Sequence, residues 1–224
     1  YDDLAAATAD NELLLNVHGS ITPKGLRRRW PHLLAYEGVF GAENYHPAPK
    51  TIPPEHNAIL PFTRNVLGPM DYTPVTFSAE TGQTTAGHEL ALSVVFETGL
   101  QHFADSIESY AARPQAEEFL EAVPTVWNET RFVGGYPGRE ATVARRRDDR
   151  WFLGSIVAGE SHSVEVSCEF LDEGRSYDLS IYRDEDESLV RDDRETTASD
   201  DFSVAVPENG GFAAVFTPAD AANH

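Results

Sequence analysis

Lysine is almost missing from this chain of 224 residues, where only Lys24 and Lys50 occur. The other cations are arginines. Together they number 17 against 37 Asp and Glu, for a formal net charge of -20. Such a chain repels polyanions, which excludes nucleic acid and anionic membrane surfaces as partners. The acids are spread along the chain, not gathered in a tail. That pattern points to a halophilic protein, because a Debye length of roughly 3 Å in 1 M salt screens the self-repulsion. Cysteine is limited to Cys168, so no intrachain disulfide can form. Its setting, VEVSCEF, reads as a buried strand position and not as a nucleophile. No apolar run approaches the roughly 20 residues of a membrane helix. The opening YDDLAAATAD has neither an initiator Met nor a signal-like pattern. It reads as the tail of a helix that feeds a strand, so more chain is expected ahead of Tyr1.

What the chain does contain is enough apolar residue, 41%, for a real core. The organising stretch is LLLNVHGSITPKGLRRRWPHLLAYEGVFGAE, from Leu13 to Glu43. Its two apolar runs, Leu13–Val17 and Leu33–Tyr36, are short buried strands of the parallel type. The first runs directly into His18 and the pair Gly19-Ser20. The second runs into Glu37 and then Glu43. A β/α barrel puts functional residues at the C-terminal ends of its strands, so two such strand ends make an enzyme site the leading expectation. Gly68–Pro74 is a further strand-to-loop junction. Helices are expected near Pro54, from about Thr85 to Thr98, over Asp105–Tyr110 and over Pro114–Ala122. The segments Asn44–Pro54 and Pro218–His224 read as irregular.

At Val123-Pro124 the apolar period changes to two. Val126-Trp127, Phe132-Val133, Thr142-Val143, Trp151–Leu153, Val164–Val166, Tyr177–Tyr182, Phe202–Val206 and Phe212–Phe216 then read as short strands of an antiparallel sandwich. The acidic run Asp184–Asp193 lacks the spacing of a calcium loop and reads as a surface turn or edge. The expected fold class is therefore α/β plus all-β, with residues 1–123 forming an α/β part and residues 124–224 an antiparallel β-sandwich. About three barrel strands are visible before Pro124, whereas a whole barrel needs eight in roughly 250 residues. Either the first part is not a barrel, or the chain begins inside one.

Taken alone, each candidate has an ordinary explanation. Glu37 suits an ion pair with Arg27–Arg29, Glu43 a surface acid, and His18 a hydrogen-bonded core histidine. Glu55, His56 and Asp71 receive no catalytic role, with Asp71 read as a turn residue beside Pro69.

HGSITPKGLRRRWPHLLAYEGVFGAE resembles the segment around the acid catalyst in glycoside hydrolase family 97. LPFTRNVLGPMDYTP, HELALSVVFETGLQHFADS, FLEAVPTVWNET and VARRRDDRWFLGSI are also similar to that family. The resemblance implies the last strands of a (β/α)8 TIM barrel followed by the C-terminal sandwich. It implies a calcium-dependent glycosidase acting on α-linked glucosides or galactosides, with an oligosaccharide as small-molecule partner. Glu43 would be the general acid, Glu37 and Glu43 would hold Ca2+, and His18 would touch substrate. Inverting members place a base glutamate directly after that histidine, where this chain has Gly19. The implied enzyme is therefore retaining. Its nucleophilic aspartate, the N-terminal domain and the first barrel strands lie upstream of Tyr1. The competing readings are a non-catalytic carbohydrate-binding or accessory sandwich protein, and an inactive truncated relative.

Overall fold

The computed structural model describes residues 1–45, 51–79, 82–186 and 188–219. Residues 46–50 of the expected loop and 220–224 of the expected tail lie outside them.

Helix α1 (Asp2–Asp10) leads into β1 (Leu15–Val17). This strand pairs in parallel with β2 (Leu33–Tyr36), with Leu15 opposite Leu33 and Val17 opposite Tyr36. A parallel bridge from Tyr36 to Met70 adds a third segment to the array. All three run the same way, so Val17, Tyr36 and Met70 end on one side. The residues that follow them are His18, Glu37 and Asp71. This is the local architecture of a barrel end, in which the chemistry begins where the strands stop. Strand β2 is largely buried, but β1 is only partly so, and Leu13 and Leu14 of the expected buried run are exposed before it starts.

Helix α2 (Pro54–Ile59) starts with proline in its first turn, where the missing N–H goes unneeded. Helix α3 (Ala86–Val95) is shorter than the sequence pattern suggests. Thr85 caps its start, with Oγ1 accepting from the His88 amide at 3.2 Å, and Phe96 ends it by turning extended. Every residue of α3 from Gly87 to Val95 is buried. A helix covered on all sides lies inside the molecule, and its polar members His88, Glu89 and Ser93 are hydrogen-bonded there. Helices α4 (Ile107–Ala111) and α5 (Pro114–Ala122) complete the first part.

Eight strands follow. They are β3 (Glu129–Tyr136), β4 (Glu140–Arg147), β5 (Arg150–Val157), β6 (His162–Ser167), β7 (Ser176–Glu185), β8 (Ser188–Thr197), β9 (Asp201–Val206) and β10 (Gly211–Pro218). Six of them form one antiparallel sheet in the order β3-β4-β5-β10-β7-β8, and β6 pairs with β9 in a second. Among the described residues no sheet spans positions 123 and 124. Val126-Trp127 precede the first strand and do not belong to it. Val126 is exposed, while the Trp127 ring lies against Phe152 at 5.5 Å. Asp184 and Glu185 belong to β7 and Ser188–Asp193 to β8, so most of the acidic run lies in two paired strands.

Strands β6 and β9 alternate buried and exposed positions, because only one of their faces meets the core. Strands β5 and β10 are buried on both faces. On one side Trp151, Leu153, Phe212 and Phe216 join Val164, Val166, Phe202 and Val204 of the small sheet. On the other side Phe152 and Ile156 meet α3 and the barrel residues. Helix and sheet approach closely because glycines line the contact. A Cβ on Gly154 would come within 2.6 Å of the Ala91 carbonyl oxygen, and one on Gly211 within 2.8 Å of the His88 Cα.

Both ends of α3 are held by charged groups of the large sheet. At its start Asp184 of β7 accepts from the Gly87 amide at 2.9 Å and from the Thr85 hydroxyl at 2.5 Å. At its end the buried Arg145 of β4 donates through Nε to the Val94 carbonyl at 2.7 Å and through a terminal nitrogen to Val95 at 3.0 Å. The signs match the helix dipole, with an anion at the N-terminus and a cation at the C-terminus.

His88 sits in this contact, fully buried, between the Asn57 side-chain amide at 3.2 Å and the Gly210 carbonyl at 3.2 Å. Burial lowers its pKa to about 4, although the backbone carbonyls favour its charged form. The folded value lies below the unfolded one of about 6.5. The contribution is therefore intact above pH 6.5 and is lost as pH falls toward 4. We expect wild type to lose about 3 kcal/mol across that window relative to His88→Gln. Buried Glu89 and partly buried Asp184 are both pushed up, chiefly by desolvation, and act in the opposite sense. They are present in both proteins, so denaturant melts of the pair at a series of pH values isolate His88. A difference that stays flat with pH would show that His88 is not held neutral.

Candidate active site

The three strand ends bring four titratable side chains together. His18 follows β1, Glu37 and Glu43 follow β2, and Asp71 follows Met70. Asn16 lies on the same face of β1 as His18, two residues earlier, as the period of a strand requires. The ligand-type atoms of His18, Glu37 and Glu43 all fall within 4.8 Å of one another. His18 Nδ1 is 3.4 Å from a Glu43 oxygen and 3.9 Å from a Glu37 oxygen. The expected candidates thus occupy one cluster, and none faces Arg27–Arg29. Arg27 instead donates to the Leu33 carbonyl at 2.8 Å.

Glu37 is buried, and one of its oxygens accepts the Gly19 amide at 2.6 Å. Gly19 is left-handed, at φ 60°, which aims that amide back at Glu37. Burial raises the Glu37 pKa, and the hydrogen bond that its protonated form makes to neighbouring Glu43 raises it further. Glu43 itself is half exposed, and its backbone N–H donates to Thr73 Oγ1 at 3.0 Å. A carboxyl that is both accessible and set against a second carboxyl has the features of a proton donor.

Asp71 is the residue that sequence reading passed over. It is fully buried, yet stays ionised. Burial opposes the charge, but His18, His102 and Asn16 outweigh it and hold the pKa below the usual carboxylate range. One oxygen takes His18 Nε2 at 2.8 Å, His102 Nδ1 at 2.6 Å and the Asn16 amide at 2.5 Å. The pKa of His18 is raised in turn. Partial burial works against its charge, but Asp71, Glu37 and Glu43 together prevail. The missed signal was available, since Asp71 follows its apolar segment just as His18 and Glu37 follow theirs. His56 and Glu55 stay outside the cluster. His56 bonds to the Phe40 carbonyl at 3.0 Å, and burial lowers its pKa.

Two carboxylates held this close suit a hard cation, which takes oxygen ligands and offsets their repulsion. Glu37 and Glu43 are the oxygen donors that fit Ca2+. A histidine nitrogen such as that of His18 is a poor donor for it.

Comparison with known proteins places the chain in a family. Residues 1–39 match the family described as "Glycoside hydrolase 97", and residues 126–217 match "Glycosyl-hydrolase 97 C-terminal, oligomerisation". A probable retaining alpha-galactosidase of Streptomyces bingchenggensis is 42% identical over 217 residues, which is 96% of this chain and 33% of that protein. A retaining alpha-galactosidase of Bacteroides thetaiotaomicron is 33% identical over 193 residues, covering 80% of this chain and 29% of its own length. The chain thus spans about a third of the length of the curated relatives it matches. A family 97 enzyme from Pseudoalteromonas sp. strain K8, solved in complex with acarbose, superposes with a TM-score of 0.87 at 33% identity, over 96% of this chain and 36% of that one. The chain belongs to glycoside hydrolase family 97, of which it carries the end of the catalytic domain and the C-terminal domain.

Proposed function

We propose that this chain is the C-terminal third of a retaining α-glycosidase that prefers α-galactosides. Residues 1–123 supply the end of its barrel and residues 124–224 its sandwich. The observation that carries the reading is the cluster of His18, Glu37 and Glu43 at the ends of parallel strands. Glu43 is the general acid, because it is the accessible member of the carboxyl pair. Glu37, buried and bonded to Gly19, holds Glu43 and, with it, Ca2+. A bound Ca2+ would neutralise the paired carboxylates and orient sugar hydroxyls. His18 contacts the substrate beside them. With Gly19 where inverting relatives carry a base, a second carboxylate from upstream attacks the anomeric carbon. Both curated relatives are named as retaining alpha-galactosidases, which favours galactose over glucose. The test is turnover of 4-nitrophenyl α-galactoside and α-glucoside by the full-length protein, with the anomer of the released sugar followed by proton NMR. We expect faster galactoside cleavage with α-sugar released first. Release of β-sugar would overturn the retaining assignment.

We also propose a halophilic origin. With a net charge of -20, the melting temperature should rise by several degrees from dilute buffer to molar KCl. Equal melting points would refute it.

A further inference from the structure

We propose that Asp71 is a positioning residue of the glycosidase site, acting through two histidines. It holds His18 by Nε2 so that Nδ1 faces the Glu37–Glu43 pair, and His102 by Nδ1 so that Nε2 is presented to a hydroxyl group of the bound sugar. The proposal deepens the glycosidase reading and rests on it.

The geometry is specific. Asp71 is fully buried, whereas His18 is one-third exposed and His102 about one-half exposed, at 54% of its side chain. The carboxylate thus lies beneath two imidazoles that reach outward. Their rings stand edge to face, with centroids 6.3 Å apart. A carboxylate can only accept, so the nitrogen of each ring that meets it carries hydrogen. This fixes Nδ1–H on His102 and leaves Nε2 for another partner. Among the described residues Nε2 has none. A ring nitrogen on a half-exposed, pinned ring, sharing its carboxylate with His18, is suited to hydrogen-bond a sugar hydroxyl. Asn16 fills the same Asp71 oxygen at 2.5 Å and keeps the carboxylate from turning.

The same segment also registers the acid. Thr73, two residues beyond Asp71, adopts a left-handed backbone at φ 56°. In that conformation its Oγ1 receives the Glu43 amide. The Tyr72 carbonyl accepts the Ala42 N–H at 2.9 Å. A β-branched residue rarely takes positive φ, and the segment contains two, Thr73 and Val75. The buried carboxylate of Glu89 holds its far end through the Thr76 amide at 3.2 Å. One short segment therefore sets His18, His102 and the Glu43 turn in a common frame. Small misplacements at a reacting centre can lower rates by about 100-fold.

The test uses the full-length enzyme and an aryl α-galactoside. Asp71→Asn keeps the shape but removes the negative charge that binds both rings. It leaves a neutral oxygen that holds them more weakly, and sets an NH2 where the other oxygen accepts the His102 amide. We expect kcat to fall about 10–100-fold. His102→Gln should raise KM about 3–10-fold, the worth of one sugar hydrogen bond, and change kcat less than KM. Asp71→Asn added to His18→Gln should lower kcat by less than threefold more, because both remove the same contact. A merely structural role would lower the melting temperature but leave kcat per folded molecule, and the KM of His102→Gln, within twofold of wild type. Either result overturns the proposal, as does full multiplication of the Asp71→Asn and His18→Gln losses. If Asp71→Asn fails to fold, His102→Gln alone decides. If the wild-type protein cleaves neither α-galactoside nor α-glucoside, the glycosidase reading itself fails, and this inference with it.

Discussion

In the full-length enzyme, Glu43→Gln should lower hydrolysis of an α-linked disaccharide by roughly 10²–10⁴-fold, the usual worth of general acid–base assistance. The leaving sugar oxygen is poor and needs its proton in the transition state. A 4-nitrophenolate leaves without one. On that substrate the first step should survive, and the later hydrolysis of the glycosyl-enzyme should slow, because the same residue then serves as base. The signature is a burst of nitrophenolate of about one per site, followed by slow turnover. Glu37→Gln should differ, because buried Glu37 supports the site and does not face the substrate. It should lose activity on both substrates and need more calcium. The measurement is burst and steady-state rates for both variants on both substrates across a calcium titration. If Glu43→Gln loses the same factor on both substrates and recovers with calcium, Glu43 serves only as a metal ligand and is not the acid.

Much of this site is legible along the chain because barrel strands announce their ends. A short apolar run followed at once by His18, and another by Glu37, is a linear signal with a structural cause. Asp71 gives the same signal more weakly. Its segment reaches the array through a single bridge at Met70, and the prolines around it suggest a turn. His102 gives no linear signal. It follows α3 in irregular chain and is brought to His18 only by sharing Asp71. The alternation of β6 and β9 reads directly as one-sided burial. The continuous burial of β5 and β10 does not reveal what covers their second face. That cover is α3, which belongs to the barrel part of the chain. The acidic run at Asp184 illustrates the same limit. Composition marks it as surface, yet Asp184 is turned inward onto the Thr85 hydroxyl and the start of the helix. A change of period marks where strand topology changes, but the packed core continues across it.

That shared core makes α3 the joint between the first part and the sandwich, and Arg145 fastens its C-terminal end. Replacing Arg145 by Leu should destabilise the full-length enzyme by about 3–5 kcal/mol. It removes two charge-assisted hydrogen bonds to the helix end, each worth roughly 1.5–3 kcal/mol, and leaves the Val94 and Val95 carbonyls buried without them. Some of that loss is offset by the apolar side chain filling the space. Burial lowers the Arg145 pKa to about 10, so the guanidinium stays charged at neutral pH and the contact persists there. The control is orientation. Asp184 holds the opposite end of the helix, with one oxygen on Thr85 and the other on Gly87, so Asp184→Asn should be milder, at about 1–2 kcal/mol, because an amide oxygen still accepts from one of the two donors. Asp184→Lys should be far worse than Asp184→Asn, because it sets a cation against the positive end of the helix dipole. Denaturant melts of the three variants, with urea as denaturant, give the ranking. If Arg145→Leu shifts stability by less than 1 kcal/mol, the helix end is satisfied by other groups and Arg145 does not fasten it. If Asp184→Lys matches Asp184→Asn, the dipole carries no weight in holding the barrel end on the sandwich.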